Sequence, residues 1–524
     1  MLPKISPKTR IHGALLVAGA LLLSACGGAD QSGGSTAGQT RITAATLLNT
    51  LDPTLATTLQ NDIPSDLLYD PILTYDAQAA LTPRVATKWE PSADLKTLTL
   101  TLRSDIKFHD GTPLTAKDVV YSLDRLKKAG AGVGGLLGAY QSATATDDTH
   151  VKISLTAPNT LLLGALSKVY VVNSAVVKQH EGNDNGQAWL AGNEAGSGAY
   201  TLDAYTQGQQ VKLKKWSDYW DLQQDRPDSF ILQNISQSAS MRDALRAGTL
   251  DLVGHMEVPD VDTFKDDPKF DIRWQPSGIE SVINFNTQEG PTKDIKVRQA
   301  LSLAVNTKAH IDKDLAGHGT VATGPVPSVM KCLADLPAAT QDVAKAKELL
   351  KEAGYGEGKK LSLVMLYQPN QIEFTQLATL FQSNWRDIGV DVQLQATTFP
   401  NYTAMLKSPK TTPAMSLAYD SVRYPDVGVL LNTSYNSKFI GSGTNRSQYG
   451  NPAVDKLLDA AIANPDDTAR CEQYKQVQKL VRDDYPAIWV SNAERPFVAR
   501  KDITGTGFDP VRQLFDPLAL RVKK

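Results

Sequence analysis

The spacing of apolar residues predicts a mixed α/β protein with two or three domains. Thr97 to Arg103 alternates leucines with other residues, mostly threonines, and this period of two is typical of a half-buried strand. Asp294 to Val305 places its apolar residues three and four positions apart, as a core-facing helix does. The two patterns interleave along the chain without a fixed internal period, which argues against a repeat protein. Roughly 480 ordered residues also exceed the usual size of one hydrophobic core.

Further segments follow the same two periods. Val151 to Leu155 and Val211 to Lys214 alternate as strands do. Thr115 to Asp118 matches a capping box in front of a helical pattern. One helical pattern stops at Gly354, a common C-terminal cap, and another opens at Asn451-Pro452, with asparagine as the N-cap. Strands and helices are therefore expected throughout the chain after its first 41 residues.

The first residues indicate export. Lys4, Lys8 and Arg10 form a basic leader, and the apolar run from Ile11 to Leu23 is too short for a membrane-spanning helix. The sequence therefore predicts a signal peptide over residues 1–25. No later apolar run reaches the length of about 18 residues that a membrane-spanning helix needs.

The end of the leader resembles the lipobox of bacterial lipoproteins. Leu23-Ser24-Ala25-Cys26 closes the apolar run, and in lipoproteins the cysteine is lipidated and becomes the new N-terminus. A segment rich in Gly, Ser, Ala and Gln follows, and such a segment behaves as a flexible coil. We therefore expect lipid on Cys26, a tether over residues 26–41, and a protein held at the outer face of the cell membrane. The alternative is an ordinary cleavage site with an incidental cysteine.

The net charge argues against a nucleic-acid partner. The whole chain has a formal charge of −2, and loss of the basic leader makes the mature protein more acidic, at about −5. A protein that binds nucleic acid usually presents a basic surface instead.

Two cysteines remain after Cys26 is assigned to lipid. In an oxidising compartment, Cys332 and Cys471 suggest one disulfide, and the alternative is two separately buried thiols. A bridge between them would close a loop of more than one hundred residues. The chain-entropy model gives such a loop about 4–5 kcal/mol of stabilisation.

Catalytic and metal-binding motifs are missing from the sequence. It has no Gly-x-Ser-x-Gly elbow and no His-Glu-x-x-His, and Ser-x-x-Lys matches at Ser104 and Ser328 have no Lys-Thr-Gly partner. The six histidines after the leader are not spaced as helical metal ligands. We therefore expect no enzyme activity, no cofactor and no bare metal site.

Several motifs together resemble the peptide/nickel-binding family of ABC-transporter solute receptors, family 5. The resemblance covers nearly everything from residue 42 to the C-terminus. It is carried by Leu81-Thr82-Pro83-Arg84, Lys88-Trp89-Glu90, the segment from Ile106 to Leu123, Gly196 to Tyr200, Trp216 to Trp220, Ile283 to Thr287, Val297 to Leu301, Gly324 to Pro327 and Ala346 to Tyr355.

This resemblance implies a fold and a division into domains. The implied fold is a two-lobed, class II periplasmic-binding-protein-like fold with an additional inserted domain. When the domain division of the family is transferred to this chain, the first lobe comprises residues 42–75, 195–285 and 495–524. The inserted domain comprises residues 76–194, and the second lobe comprises residues 286–494.

The resemblance also implies a function. The protein would be a monomeric receptor that captures di- or oligopeptides in a cleft between the lobes and delivers them to a membrane permease with its ATPase. An oligosaccharide or a metal chelate is the alternative solute within the family. An extracellular lipoprotein hydrolase is the alternative from a different class of protein.

The implied solute site lies after residue 416. In peptide-binding members, a motif resembling Trp-x-x-Asp-Tyr-x-x-Pro places an aspartate against the solute's ammonium group. Here Leu417 to Asp420 and Tyr424 to Asp426 occupy that region. The implied substrate-binding residues are Asp420, Tyr419, Tyr424, Asp426 and Arg423, with Asp420 as the acceptor of the ammonium group. An opposing carboxylate is needed because an unpaired buried charge costs several kcal/mol.

Three alternatives remain open at this stage. Asp426 is a rival for the same role, because Ser421 to Arg423 looks like an insertion. Arg423 either neutralises Asp420 or binds a carboxylate of the solute. Asp420 is otherwise an exposed aspartate that forms a turn.

Overall fold

The structure is a computed structural model that describes residues 39–44, 49–55, 62–76, 78–130, 132–509 and 514–522. The predicted signal peptide, Cys26 and residues 27–38 of the predicted tether lie outside these ranges. The tether prediction is wrong at its end, because strand β1 already begins at Gln39 and pairs in parallel with a later strand. In the described part of the chain, no helix combines the length and the apolar character that a membrane crossing requires.

The described elements confirm the mixed α/β class. The strands are β1 (Gln39–Ala44), β2 (Leu73–Tyr75), β3 (Leu81–Pro83), β4 (Ala86–Pro91), β5 (Thr97–Leu102), β6 (Tyr140–Ala145), β7 (His150–Leu155), β8 (Tyr200–Thr206), β9 (Gln210–Lys215), β10 (Ser229–Asn234), β11 (Leu252–Val253), β12 (Phe270–Phe285), β13 (Gly319–Val321), β14 (Leu361–Tyr367), β15 (Val390–Ala396), β16 (Met415–Asp420), β17 (Ala487–Arg500), β18 (Ile503–Thr504), β19 (Phe508–Asp509), β20 (Leu514–Phe515) and β21 (Arg521–Val522). The helices are α1 (Asp62–Leu68), α2 (Ala116–Ala129), α3 (Leu161–Ala165), α4 (Ser174–Gln179), α5 (Gln187–Leu190), α6 (Ser238–Arg246), α7 (Val258–Asp262), α8 (Ile295–Ala304), α9 (Thr307–Asp314), α10 (Val343–Glu352), α11 (Ile372–Asp387), α12 (Phe399–Met405), α13 (Val427–Tyr435), α14 (Pro452–Ile462) and α15 (Asp467–Asp484).

Local sequence signals account for several helix ends. Thr115 and Asp118 form the predicted capping box at the start of α2, which ends at Gly130 with a left-handed φ of 60°. Asp294 caps α8 by accepting a hydrogen bond from the Lys296 backbone N–H. Asn451 caps α14 in the same way. The predictions for these helices are confirmed, because capping depends on residues within one turn of the helix end.

One long sheet connects the two halves of the molecule. Its strand order is β15-β14-β16-β12-β17-β11-β1-β10-β9-β8, and β13 pairs with β17 outside this path. The first part of β12 pairs with the last part of β17, and the register shifts between Pro276 and Glu280. Beyond that shift, β12 pairs on its other side with β16. The two long antiparallel strands β12 and β17 therefore run from one half of the sheet into the other.

Separate hydrophobic clusters lie on the two halves of this sheet. One packs around β1, β9 and β10 and includes Tyr200 and Phe230. A second packs around β14, β15 and β16 and includes Trp385. A third lies between the small sheet β4-β5-β7-β6 and α2, and includes Leu100 and Phe108. Because each cluster is contiguous, the chain is organised around several cores.

These cores shift two of the predicted domain boundaries. Ile283 and Phe285, assigned above to the first lobe, pack in the cluster of β14 to β16 because β12 has already crossed the sheet. Val177 and Leu190, assigned to the inserted domain, pack in the cluster around β1 and β10. The remaining domain boundaries stay a prediction.

Cys332 and Cys471 form a disulfide, with their Cα atoms 5.1 Å apart. Cys471 lies in α15, and Cys332 lies in the loop between β13 and α10. The same loop is held to α15 by Gln478, whose amide group accepts a hydrogen bond from Ala334 N at 3.0 Å and donates one to Cys332 O at 2.8 Å. The bridge therefore fastens a loop of the second half of the molecule to the surface of a helix.

Candidate functional site

Three polar side chains are buried where the long strands meet β16. The register pairs Glu280 of β12 with Asp420, the last residue of β16, and with Asn492 of β17. Their exposed fractions are 0%, 3% and 7%, respectively. Residues directly opposite each other on neighbouring strands project from the same face of a sheet. Two acidic side chains therefore lie together in the region where β12 and β17 pass from one half of the sheet into the other, which is called the strand crossing below.

Among the described residues, only one of these two acids has a cation beside it. Arg446 forms an ion pair and a hydrogen bond with the carboxylate of Asp420. Glu280 accepts a hydrogen bond from the Asn492 amide through Oε1 at 3.2 Å, and no described donor reaches its Oε2. Burial, and then the negative charge of Asp420, raise the pKa of Glu280 well above its ordinary value. Burial and the neighbouring carboxylate therefore both disfavour the ionised form of Glu280.

The opposite face of the same strands carries a second charged group. Ser281 is paired with Tyr419 and Ser491. The hydroxyls of Ser281 and Tyr419 donate hydrogen bonds to the carboxylate of Glu373 at 2.9 and 2.6 Å. The guanidinium of Arg495 lies 3.9 Å from this carboxylate and 5.2 Å from the centre of the Tyr419 ring. Glu373 thus ties the start of α11 to the crossing strands.

A small cavity of about 40 Å³ lies beside this charged group. Its wall is built by the segment before α7, both long strands, the end of α9 and the start of α11, and it includes His255, Glu257, Trp274, His318, Glu373, Tyr419 and Arg495. Burial and the nearby Arg495 lower the pKa of His255 to about 4, so its imidazole is neutral at pH 7. Burial and the negative charge of Glu373 raise the pKa of Glu257. The cavity therefore combines acidic, basic and aromatic groups.

Arg423 lies in a separate ion cluster that joins distant parts of the chain. Its guanidinium is 3.3 Å from Oδ1 of Asp62 in α1, and Lys168 is 2.6 Å from Oδ2 of the same carboxylate. The exposed fractions of the Asp62 and Lys168 side chains are 1% and 3%. Arg446, and not Arg423, neutralises Asp420.

Tyr424 and Asp426 lie directly before α13. The Tyr424 hydroxyl donates a hydrogen bond to the backbone oxygen of Leu161 at 3.0 Å, and its ring is buried. Asp426 is the N-cap of α13 and accepts a hydrogen bond from Gly428 N at 2.7 Å. Burial raises the pKa of Asp426. Both side chains therefore have structural partners, whereas Tyr419 and Asp420 lie at the strand crossing.

Comparison with known proteins assigns the chain to a family. Residues 80–442 match the model of the bacterial extracellular solute-binding proteins, family 5. The chain belongs to this family. It is 30% identical, over 82% of its length and 83% of the relative's, to a probable D,D-dipeptide-binding periplasmic protein of Escherichia coli. The family consists of the solute-binding components of ABC importers, which work with a permease and an ATPase.

Solved structures of family 5 proteins share the fold. An ABC-transporter-associated periplasmic binding protein of Helicobacter pylori in complex with the peptide STSA superposes with a TM-score of 0.81. That match has 21% sequence identity and covers 93% of this chain and 98% of the other. A protein of Campylobacter jejuni in complex with Ni(L-His) gives a TM-score of 0.78 at 22% identity, covering 90% of this chain and 95% of the other. The predicted two-lobed α/β fold is confirmed.

Four of the charged residues at the strand crossing were not predicted from the sequence. They are Glu280, Glu373, Arg446 and Arg495. One signal was present for Glu280, since it is the single charged residue in the stretch from Gly278 to Phe285, which is otherwise apolar or uncharged. A charged residue in a strand that reads as buried points to a functional or paired group.

Substitution of Asp426 tests its structural role. Asp426→Ala removes the cap of α13 and is expected to lower the free energy of unfolding by about 1 kcal/mol, with no change in solute affinity. Asp466→Ala, which removes the cap of α15, serves as the matched control. Thermal melts and calorimetric titration of both variants measure the two quantities. A loss of affinity in Asp426→Ala alone would give Asp426 the solute-binding role.

Proposed function

We propose that this family 5 protein is a lipid-anchored receptor that captures peptides or peptide-like solutes and delivers them to an ABC permease. The binding site is the cleft at the crossing of β12 and β17. Tyr419 lines the cavity on one face of these strands, and Asp420 lies on the other face. Arg423, Tyr424 and Asp426 have the structural partners described above. The observation that carries the proposal is the set of buried acidic and basic groups at the crossing.

Charge complementarity supports a peptide-like solute. A free peptide carries an ammonium group and a carboxylate, so its receptor needs groups of both signs in a site shielded from water. Glu257 supplies an acidic group in the cavity on the Glu373 face, and Glu280 supplies one on the opposite face of the same strands, so each face offers its own candidate acceptor. Arg495 supplies a guanidinium group, whose side chain is 11% exposed.

The two long strands supply a hinge for closure. A solute stabilises the closed form only through contacts that the open form lacks. Arg423, Asp62 and Lys168 bring together three distant segments of the chain, so their ion pairs can form only while these segments are close together. Small-angle scattering should therefore show a more compact protein when solute is bound.

Native mass spectrometry of freshly purified protein tests the proposed solute class. Receptors that retain solute from the cell should release masses that differ by amino-acid residues if the solute is a peptide. A spacing of one hexose would instead identify an oligosaccharide and would overturn the proposal.

A metal chelate is the second candidate solute. The observation that favours it is His255, whose neutral imidazole borders the cavity, because neutral imidazole is a common metal ligand. The described residues contain no group of three or more side chains arranged to hold a metal ion, so the chelating molecule itself would have to supply most ligands. Elemental analysis of the same native sample distinguishes this candidate from a peptide.

Lipid anchoring is tested at Cys26. Cys26→Ser should move the protein from the membrane fraction to the soluble fraction, or leave the leader uncleaved, because no thiol remains for lipid attachment. Solute affinity should not change, since residue 26 lies thirteen residues before the first described strand. Fractionation followed by calorimetry measures both. A wild-type protein found in the soluble fraction would contradict the anchor.

A further inference from the structure

Glu280 is a buried acid without a compensating cation. Its side chain is fully buried, and within the described structure its Oε2 has no hydrogen-bond partner. Burying a polar group without a partner is costly, so such groups are rare and often functional. The position also lies at the strand crossing, next to the register shift of β12.

The groups around Glu280 do not neutralise it. On β16, the carboxylate of Asp420 is itself engaged by Arg446. On β17, Asn492 offers one amide N–H to Oε1. From α13, the hydroxyl of Tyr435 accepts a hydrogen bond from Trp489 Nε1 at 3.1 Å, and it faces both acids. The site around Glu280 therefore contains one more negative group than positive groups if Glu280 is ionised.

We propose that Glu280 is a specificity-determining residue that accepts the ammonium group of the solute and releases its own proton when the solute binds. This inference rests on the proposed function. In the free protein the carboxyl group is protonated. On binding, its O–H bond breaks, the proton passes to solvent, and the carboxylate pairs with the ammonium group, so charge and atoms balance.

Because binding releases the proton of Glu280, the solute affinity should depend on pH in a known direction. A solute that binds the ionised form of Glu280 must displace a proton, so affinity should rise as pH rises towards the pKa of Glu280 in the free protein. Above the solute's own α-amino pKa of about 8, affinity should fall again, because the ammonium group loses its proton. The raised pKa of this carboxyl places the rise above the ordinary titration range of glutamate.

The experiment uses the full mature protein and an enzymatic casein digest enriched in di- to tetrapeptides as the probe. Half of the digest is acetylated at its amino groups. Native mass spectrometry records which peptides the wild type binds. The most abundantly bound peptide is then titrated into wild type, Glu280→Gln and the control Glu348→Gln, which changes an exposed glutamate of α10. Each titration is repeated in two buffers with different heats of ionisation, which reports proton release.

We expect the wild type to bind free peptides and to reject acetylated ones. Glu280→Gln should weaken binding more than tenfold and abolish proton release, while Glu348→Gln matches the wild type. Equal binding of both digests, or wild-type binding without proton release, would overturn the inference and leave the proposed function standing. The proton measurement needs no variant, so it decides the matter even if Glu280→Gln fails to fold. Failure to bind either digest would overturn the proposed function and the inference with it.

Discussion

Replacing Cys332 and Cys471 together by alanine is expected to lower the free energy of unfolding by about 5 kcal/mol. The bridge joins residues 139 positions apart, so it removes a large amount of conformational freedom from the unfolded chain. Chemical denaturation of the oxidised wild type and the double variant, followed by circular dichroism, measures the difference. Both proteins should bind solute equally, because the bridge fastens an outer loop to α15.

The hydrogen bonds of Gln478 should keep the loop in place in the double cysteine variant, so that its loss of stability can be attributed to the missing disulfide. They hold the loop against α15 independently of the sulfur atoms, so the native position of Ala334 should survive loss of the bridge. Reduction of the wild type with a phosphine should reproduce the effect of the double variant. Identical denaturation midpoints for oxidised and reduced protein would contradict the expected stabilisation.

Local features of the fold could be predicted from the sequence. The period of α8 and its cap at Asp294 lie within one short segment, and the observed helix differs from the predicted range by one residue at each end. The alternation in Thr97 to Arg103 likewise marks the buried face of β5. Such features depend on neighbouring residues, so a single sequence contains them.

Only part of the candidate site could be predicted from the sequence, because the site is built by segments that lie far apart along the chain. Asp420 was selected by resemblance, but its partner Arg446 lies 26 residues further along the chain, in a loop without a recognisable motif. Glu280 and Asn492 are hydrogen-bonded across 212 residues of sequence. Strand register decides these contacts, and a shift of one residue would send each side chain to the other face. Composition and spacing carry no information about that register.

The Asp420–Arg446 pair is expected to control solute affinity. Asp420→Ala should weaken binding by about 2–5 kcal/mol, the usual loss when one member of a buried charge pair is removed. The physical reason lies in what remains, because the guanidinium of Arg446 is left without its carboxylate. An unpaired guanidinium at the strand crossing repels the ammonium group of the solute. Calorimetric titration with the peptide that the native protein retains measures this loss.

A second substitution separates this indirect effect from a direct contact. Arg446→Met in the Asp420→Ala background removes the unpaired cation and keeps most of the side-chain volume, and replacing both members of a buried ion pair by apolar groups is often neutral. We therefore expect the double variant to recover affinity to within about 1 kcal/mol of the wild type. If affinity stays low, Asp420 itself contacts the ammonium group, as the sequence resemblance implied. Recovery would instead leave Glu280 as the acceptor, with Asp420 serving to neutralise Arg446.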